Sequence, residues 1–123
     1  MGKRIVYIDQ CAATRSLVSQ ALEAAGYSVG VADCCVYAND LIYGSVRPDL
    51  IMLDVLLPMM RGDKKTQLLK AREKSQGIPV LLTAALAEDE LRALAASAGA
   101  DGYLLKPFDD RQLLATVASF LDA

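Results

Sequence analysis

Short runs of consecutive apolar residues alternate along the chain with longer stretches in which apolar residues recur every three or four positions. The first pattern is that of a strand buried on both faces; the second is that of a helix with one buried stripe. Runs at 4–8, 27–32, 50–54, 80–83 and 102–105 predict five strands, and helical spacing predicts helices near 14–25, 34–44, 63–75, 87–98 and 109–121. In the first helix Leu17, Val18, Ala21, Leu22 and Ala25 form the stripe, and Gly26 supplies the stop. The third carries Leu68, Leu69 and Ala71 inward. The fourth carries Leu91, Leu94, Ala95 and Ala98 inward and stops at Gly99. The last opens with Asp109 and Gln112 at capping-box spacing and buries Leu113, Leu114, Val117, Phe120 and Leu121. Strict alternation of strands and helices predicts an α/β fold, a doubly wound five-stranded parallel sheet with helices on both faces, because parallel strands need crossovers. The pattern leaves the strand order open.

Composition narrows the class. At 123 residues, 54% hydrophobic and 23% charged, the chain reads as one globular domain, residues 1–123, with enough apolar content for a core. A net charge of −2 gives no overall pull toward nucleic acid or membrane. The apolar stretch behind Met1-Gly2-Lys3-Arg4 is too short for a signal peptide or a span, so a cytoplasmic location is expected. Three cysteines, Cys11, Cys34 and Cys35, are odd in number and lack a C-x-x-C spacing; reduced thiols are expected, with the Cys34-Cys35 pair used in packing. The chain contains no histidine. That excludes Ser-His-Asp and Cys-His catalysis and any phosphohistidine carried by this chain itself.

Three strands end in chemistry. Asp9 closes the run Ile5-Val6-Tyr7-Ile8, Asp54 closes Leu50-Ile51-Met52-Leu53, and Lys106 closes Tyr103-Leu104-Leu105. In a parallel sheet the carboxyl ends of the strands share one edge, where ligands bind. Two carboxylates and a lysine on that edge make a compact phosphate or metal site.

Asp9, Asp54 with Pro58 and Gly62 at +4 and +8, Thr83, and Tyr103 with Lys106-Pro107-Phe108 occur in one order and spacing. With these residues the chain resembles, over essentially its whole length, the receiver domain of bacterial two-component response regulators, whose fold is flavodoxin-like (βα)5, as in chemotaxis regulators. The resemblance implies a phosphoreceiver that takes a phosphoryl group onto Asp54 from a partner histidine kinase or phosphotransfer protein. It implies Lys106 as the fixed positive charge and Thr83 as the hydroxyl that meets the phosphoryl oxygens. Tyr103 is then the aromatic that swings inward, so that the face made by the fourth helix, last strand and last helix switches an output partner. Mg²⁺ is the implied cofactor, held by Asp9, Asp54 and the backbone carbonyl of Leu56. The family's second acid is replaced here by Gln10, which keeps a carbonyl oxygen but loses a charge, so weak Mg²⁺ binding is expected. Lys106-Pro107 is expected to be cis. Leu56 and Ala85, two residues after Asp54 and Thr83, cannot orient water, which implies slow self-dephosphorylation beside self-phosphorylation from small donors. Arg61 departs from the small or acidic residue often found there, and nothing in the sequence explains it.

A second reading, favoured by Gln10, is a pseudo-receiver that binds proteins without using phosphate. A flavin-binding protein of flavodoxin type would need a hydroxyl-rich loop after the first strand, where the chain has Gln10-Cys11-Ala12-Ala13-Thr14. A D-x-D phosphatase would need a second acid that Asp9-Gln10-Cys11 and Asp54-Val55-Leu56 both lack. Residues 61–74 carry Arg61, Lys64, Lys65, Lys70, Arg72 and Lys74 against Asp63 and Glu73, read as a solvated helix face. No nucleic-acid or membrane contact is expected through this domain; an output domain or protein and homodimerisation on phosphorylation are implied partners. The sequence does not say whether the domain works alone or within a longer regulator.

Overall fold

The computed structural model describes residues 2–122. The elements alternate as β1 (Arg4–Ile8), α1 (Ala12–Ala24), β2 (Ser28–Ala32), α2 (Cys35–Ile42), β3 (Leu50–Asp54), α3 (Gly62–Ala71), β4 (Val80–Ala84), α4 (Glu88–Ala98), β5 (Gly102–Leu105) and α5 (Asp110–Leu121). All strand pairs are parallel, in the order β2-β1-β3-β4-β5. The order reverses at β1, so the crevice beyond the ends of β1 and β3 is where such a sheet binds ligands.

The three inner strands are unbroken apolar runs because both of their faces are covered. Alternate residues feed two layers. Ile5, Tyr7, Leu50, Met52 and Leu81 pack against Val18 and Leu22 of α1 and Leu113 and Val117 of α5. Val6, Ile8, Ile51, Leu53, Val80 and Leu82 pack against Ala38 and Ile42 of α2, Leu69 of α3, and Leu91 and Ala95 of α4. Each large side chain so buried contributes about 1.5–3 kcal/mol. Among the described residues no helix is long and apolar enough to cross a membrane.

Local signals explain three of the element ends. Asp109 accepts from the Gln112 backbone N–H at 2.8 Å, and the Gln112 side chain accepts from the Asp109 N–H at 3.0 Å, closing the capping box of α5. Gly99 ends α4 at φ 80°. Gly62 opens α3 against the back of β3, where a Cβ would collide with the Asp54 carbonyl oxygen.

Two helices differ from their sequence patterns. In α1 the stripe is narrower: Val18 and Leu22 are buried, whereas Ala25 is exposed and Leu17 is 66% exposed. Leu17 lies one residue, about 100°, around the helix from Val18 and lines a cleft with Thr14, Lys106, Pro107 and Phe108. In α3, which ends at Ala71 and not near 75, Ala71 is exposed while Lys65 and Thr66 are buried. The expected solvated basic face is therefore broken by Lys65. Its ammonium donates to Asn39 Oδ1 on α2, and the Thr66 hydroxyl donates to the Gly62 carbonyl at 2.8 Å. Cys34 and Cys35 are buried free thiols at the start of α2, in the packing role expected.

Candidate functional site

Each residue of the site is set by a strand end. The Asp9 N–H donates to the Ala32 carbonyl at 3.1 Å, which ties the residue after β1 to β2. Asp54 is the last residue of β3 and pairs in register with Thr83 of β4, so their side chains lie on one face of the sheet. The Lys106 N–H donates to the Ala84 carbonyl at 2.9 Å, fixing the turn after β5. The Lys106-Pro107 peptide is cis, as the sequence led us to expect.

Residues 97 and 52 positions away from Lys106 meet at its ammonium. Its Nζ donates to Asp9 Oδ2 at 2.5 Å and to Asp54 Oδ2 at 2.8 Å. Asp9 is wholly buried and Asp54 nearly so. Burial works against the charge on Lys106, but the hydrogen bonds and charges of Asp54 and Asp9 outweigh it and raise its pKa. The ammonium is thus a permanent cation between two carboxylates.

Beside it, Thr83 is fully buried and its Oγ1 has no hydrogen-bond partner among the described residues. An unpaired buried hydroxyl costs about 1–3 kcal/mol. Such a cost is sustained where an incoming ligand supplies the partner.

Tyr103 lies on the other face of the sheet, packed against the layer beneath α2, α3 and α4. Its hydroxyl donates to Glu88 Oε2 at 2.9 Å and accepts from Arg92 Nε at 3.3 Å, both on α4. Tyr103 is therefore turned outward, and Thr83 and Tyr103 do not share a layer. Gln10 and Ala85 are exposed, as is the Leu56 side chain, at the mouth of the site.

One member was missed by the sequence reading. Tyr7, counted there only as part of an apolar run, is wholly buried, and its hydroxyl donates to Asp9 Oδ2 at 2.6 Å. The strand period of two, which puts residues 7 and 9 on one face, was the available signal. The rest of Asp9 is equally engaged. Oδ1 accepts from the Cys11 N–H at 2.9 Å, and Arg15 Nη1 donates to the Asp9 carbonyl at 2.7 Å.

As a metal site the donor set is thin. Among the described residues no three His, Cys, Asp or Glu side chains converge. Three of the roughly four lone-pair positions of the Asp9 carboxylate already accept donors. Two adjacent carboxylates still fit Mg²⁺, which binds through one or two carboxylates and otherwise keeps water or takes phosphate oxygens. Chemically, the pocket offers a nucleophilic carboxylate, a fixed cation and a free hydroxyl around one point.

Comparison with known proteins agrees with this geometry. The family model of the response regulator receiver domain matches residues 5–118. The chain is 41% identical over 118 residues to the DNA-binding dual master transcriptional regulator RpaA of Synechocystis sp., covering 96% of this chain and 48% of that protein. It is 35% identical over 121 residues to the phosphate regulon transcriptional regulatory protein PhoB of Pseudomonas aeruginosa, covering 98% and 52%. The chain thus spans about half the length of the curated relatives it matches. Its structure superposes on the chemotaxis response regulator CheY4 of Vibrio cholerae with a TM-score of 0.90 at 27% identity, over 98% of this chain and 99% of that one. A matched family across residues 5–118 and a strand-end site of two aspartates bridged by a lysine carry one conclusion: the chain belongs to the response regulator receiver domains.

Proposed function

We propose that residues 1–123 act as a cytoplasmic phosphoreceiver in which Asp54 takes a phosphoryl group from a phosphohistidine on a partner kinase or phosphotransfer protein. The observation that carries this reading is the Lys106 ammonium bridging Asp9 and Asp54 beside the unpartnered Thr83 hydroxyl. Lys106 holds Asp54 Oδ2, which leaves Oδ1 to attack phosphorus. The new O–P bond forms as the donor P–N bond breaks, and the imidazole keeps the electron pair and takes up a proton. The product is an acyl phosphate.

Catalysis here is positioning and electrostatics. Lys106 transfers its hydrogen bond to a phosphoryl oxygen, and Thr83 donates to another. Mg²⁺ bound by Asp9, Asp54 and the Leu56 carbonyl, weakly because Gln10 replaces an acid, would neutralise charge on the phosphoryl oxygens. The new group brings about −1.5 to −2 charges. Recruitment of Thr83 to it would release Tyr103 from Glu88 and Arg92 and alter the α4–β5–α5 face offered to an output domain, an output protein or a second copy.

The test is intact mass after incubation with acetyl phosphate, with and without Mg²⁺, beside Asp54→Asn. The expected result is one Mg²⁺-dependent phosphate adduct, absent in the variant. No adduct at high Mg²⁺ or with phosphorylated kinase would instead assign a phosphate-independent pseudo-receiver, the reading that Gln10 favours.

A further inference from the structure

Asp9 carries two strong donors on the same oxygen. Lys106 Nζ lies 2.5 Å and the Tyr7 hydroxyl 2.6 Å from Oδ2. The Tyr7 ring is wholly buried among Ile5, Leu50, Met52 and Leu81 and cannot follow a moving partner. A carboxylate oxygen can only accept, so the Tyr7 hydroxyl is the donor in this contact. Lys106, by contrast, has a flexible stem and two carboxylates to choose between.

We propose that Tyr7 is a positioning residue of the phosphorylation site: its fixed hydroxyl holds the Asp9 carboxylate in place when Lys106 leaves it for the incoming phosphoryl group. This inference rests on Asp54 being the phosphoacceptor. Without Tyr7, departure of Lys106 would strip Oδ2 of its donors on a side chain that is itself wholly buried. A buried carboxylate oxygen left without a donor is costly even while Oδ1 keeps the Cys11 N–H, so Lys106 would stay on Asp9. With Tyr7, one bond remains and the lysine is free to move. Tyr7 thereby acts through Asp9 and touches no reacting atom.

Tyr7→Phe keeps the ring and its packing and removes only the donor. Phosphorylation by acetyl phosphate at saturating Mg²⁺ is expected to slow about tenfold or more, the loss of about 1.4 kcal/mol of barrier lowering. Mg²⁺ affinity, read directly by calorimetry on the unphosphorylated protein, is expected to be unchanged or tighter, because a competing donor has gone. A purely structural role would weaken metal binding and phosphorylation together, and that result overturns the proposal. So does a Tyr7→Phe rate within twofold of wild type. Because the effect runs through Asp9, Tyr7→Phe added to Asp9→Asn is expected to change the rate no further; a further tenfold loss there also overturns it. That pair remains decisive if Tyr7→Phe alone folds poorly, since the neutral amide introduced by Asp9→Asn tolerates the missing donor. If wild type takes no phosphate on Asp54 the reading beneath the proposal fails, whereas phosphorylated wild type with an equally active Tyr7→Phe sinks the proposal alone.

Discussion

Met59 sits at φ 68°, in the left-handed region, in the loop between Asp54 and α3, with its side chain 78% exposed. A non-glycine residue there costs about 1–2 kcal/mol, and asparagine tolerates it best. With little burial to lose, Met59→Asn is expected to stabilise the fold by about 0.5–1 kcal/mol. A urea midpoint at or below the wild-type value would refute that account. Three residues away, Leu56 presents an apolar, exposed side chain at the mouth of the site, and Ala85 does the same from the β4 side. Neither can hold a water molecule in line with the phosphoryl group. Under the proposed function, the acyl phosphate on Asp54 is expected to persist for minutes or longer, and Leu56→Gln to shorten its life several-fold. Loss of the adduct within seconds in the wild type, followed by mass, would contradict this.

At the scale of elements, α3 is the helix whose sequence misleads. Six basic residues between 61 and 74 suggest a solvated face, yet Lys65 is only 5% exposed and points at α2. Burial lowers its pKa, the nearby Cys35 and Tyr43 opposing this in part. The sign of the consequence follows from linkage. Between the depressed folded value and an unfolded value of about 10.4, the unfolded chain binds more protons, so stability rises with pH. Lys65→Met removes the buried ammonium and this rise with it. Melting temperatures from pH 7 to 10 should show Lys65→Met more stable than wild type at neutral pH, with the gap closing as pH increases. A gap independent of pH would place the cost elsewhere. The exposed Leu17 and the buried Lys65 share one cause. Helix periodicity reports which residues share a stripe, whereas neighbouring elements decide how wide a stripe is covered.

For the whole molecule, the site sits at the one place where the sheet order reverses, and it is built at a cost to stability. The buried Thr83 hydroxyl is unpaired in the unphosphorylated fold, so Thr83→Ala should leave that state at least as stable as wild type, by up to about 1–3 kcal/mol. The same change should abolish the phosphorylation-dependent change in hydrogen exchange across 88–105, the segment that holds Tyr103 against Glu88 and Arg92. Exchange that still responds in Thr83→Ala would show that the switch bypasses this hydroxyl. Asp9, Asp54, Thr83 and Lys106 were legible in the sequence because each lies at or beside the carboxyl end of a strand, and parallel strands end on a common edge whatever their order. The alternating pattern also determined the five strands, the five helices and which residues share a face, because local period is a property of neighbouring residues. Strand order, the ammonium shared between residues 97 and 52 positions away and the outward Tyr103 were decided only by the tertiary structure. Each of these joins residues far apart in the chain, and a local pattern does not say which distant strand or helix will be packed beside it.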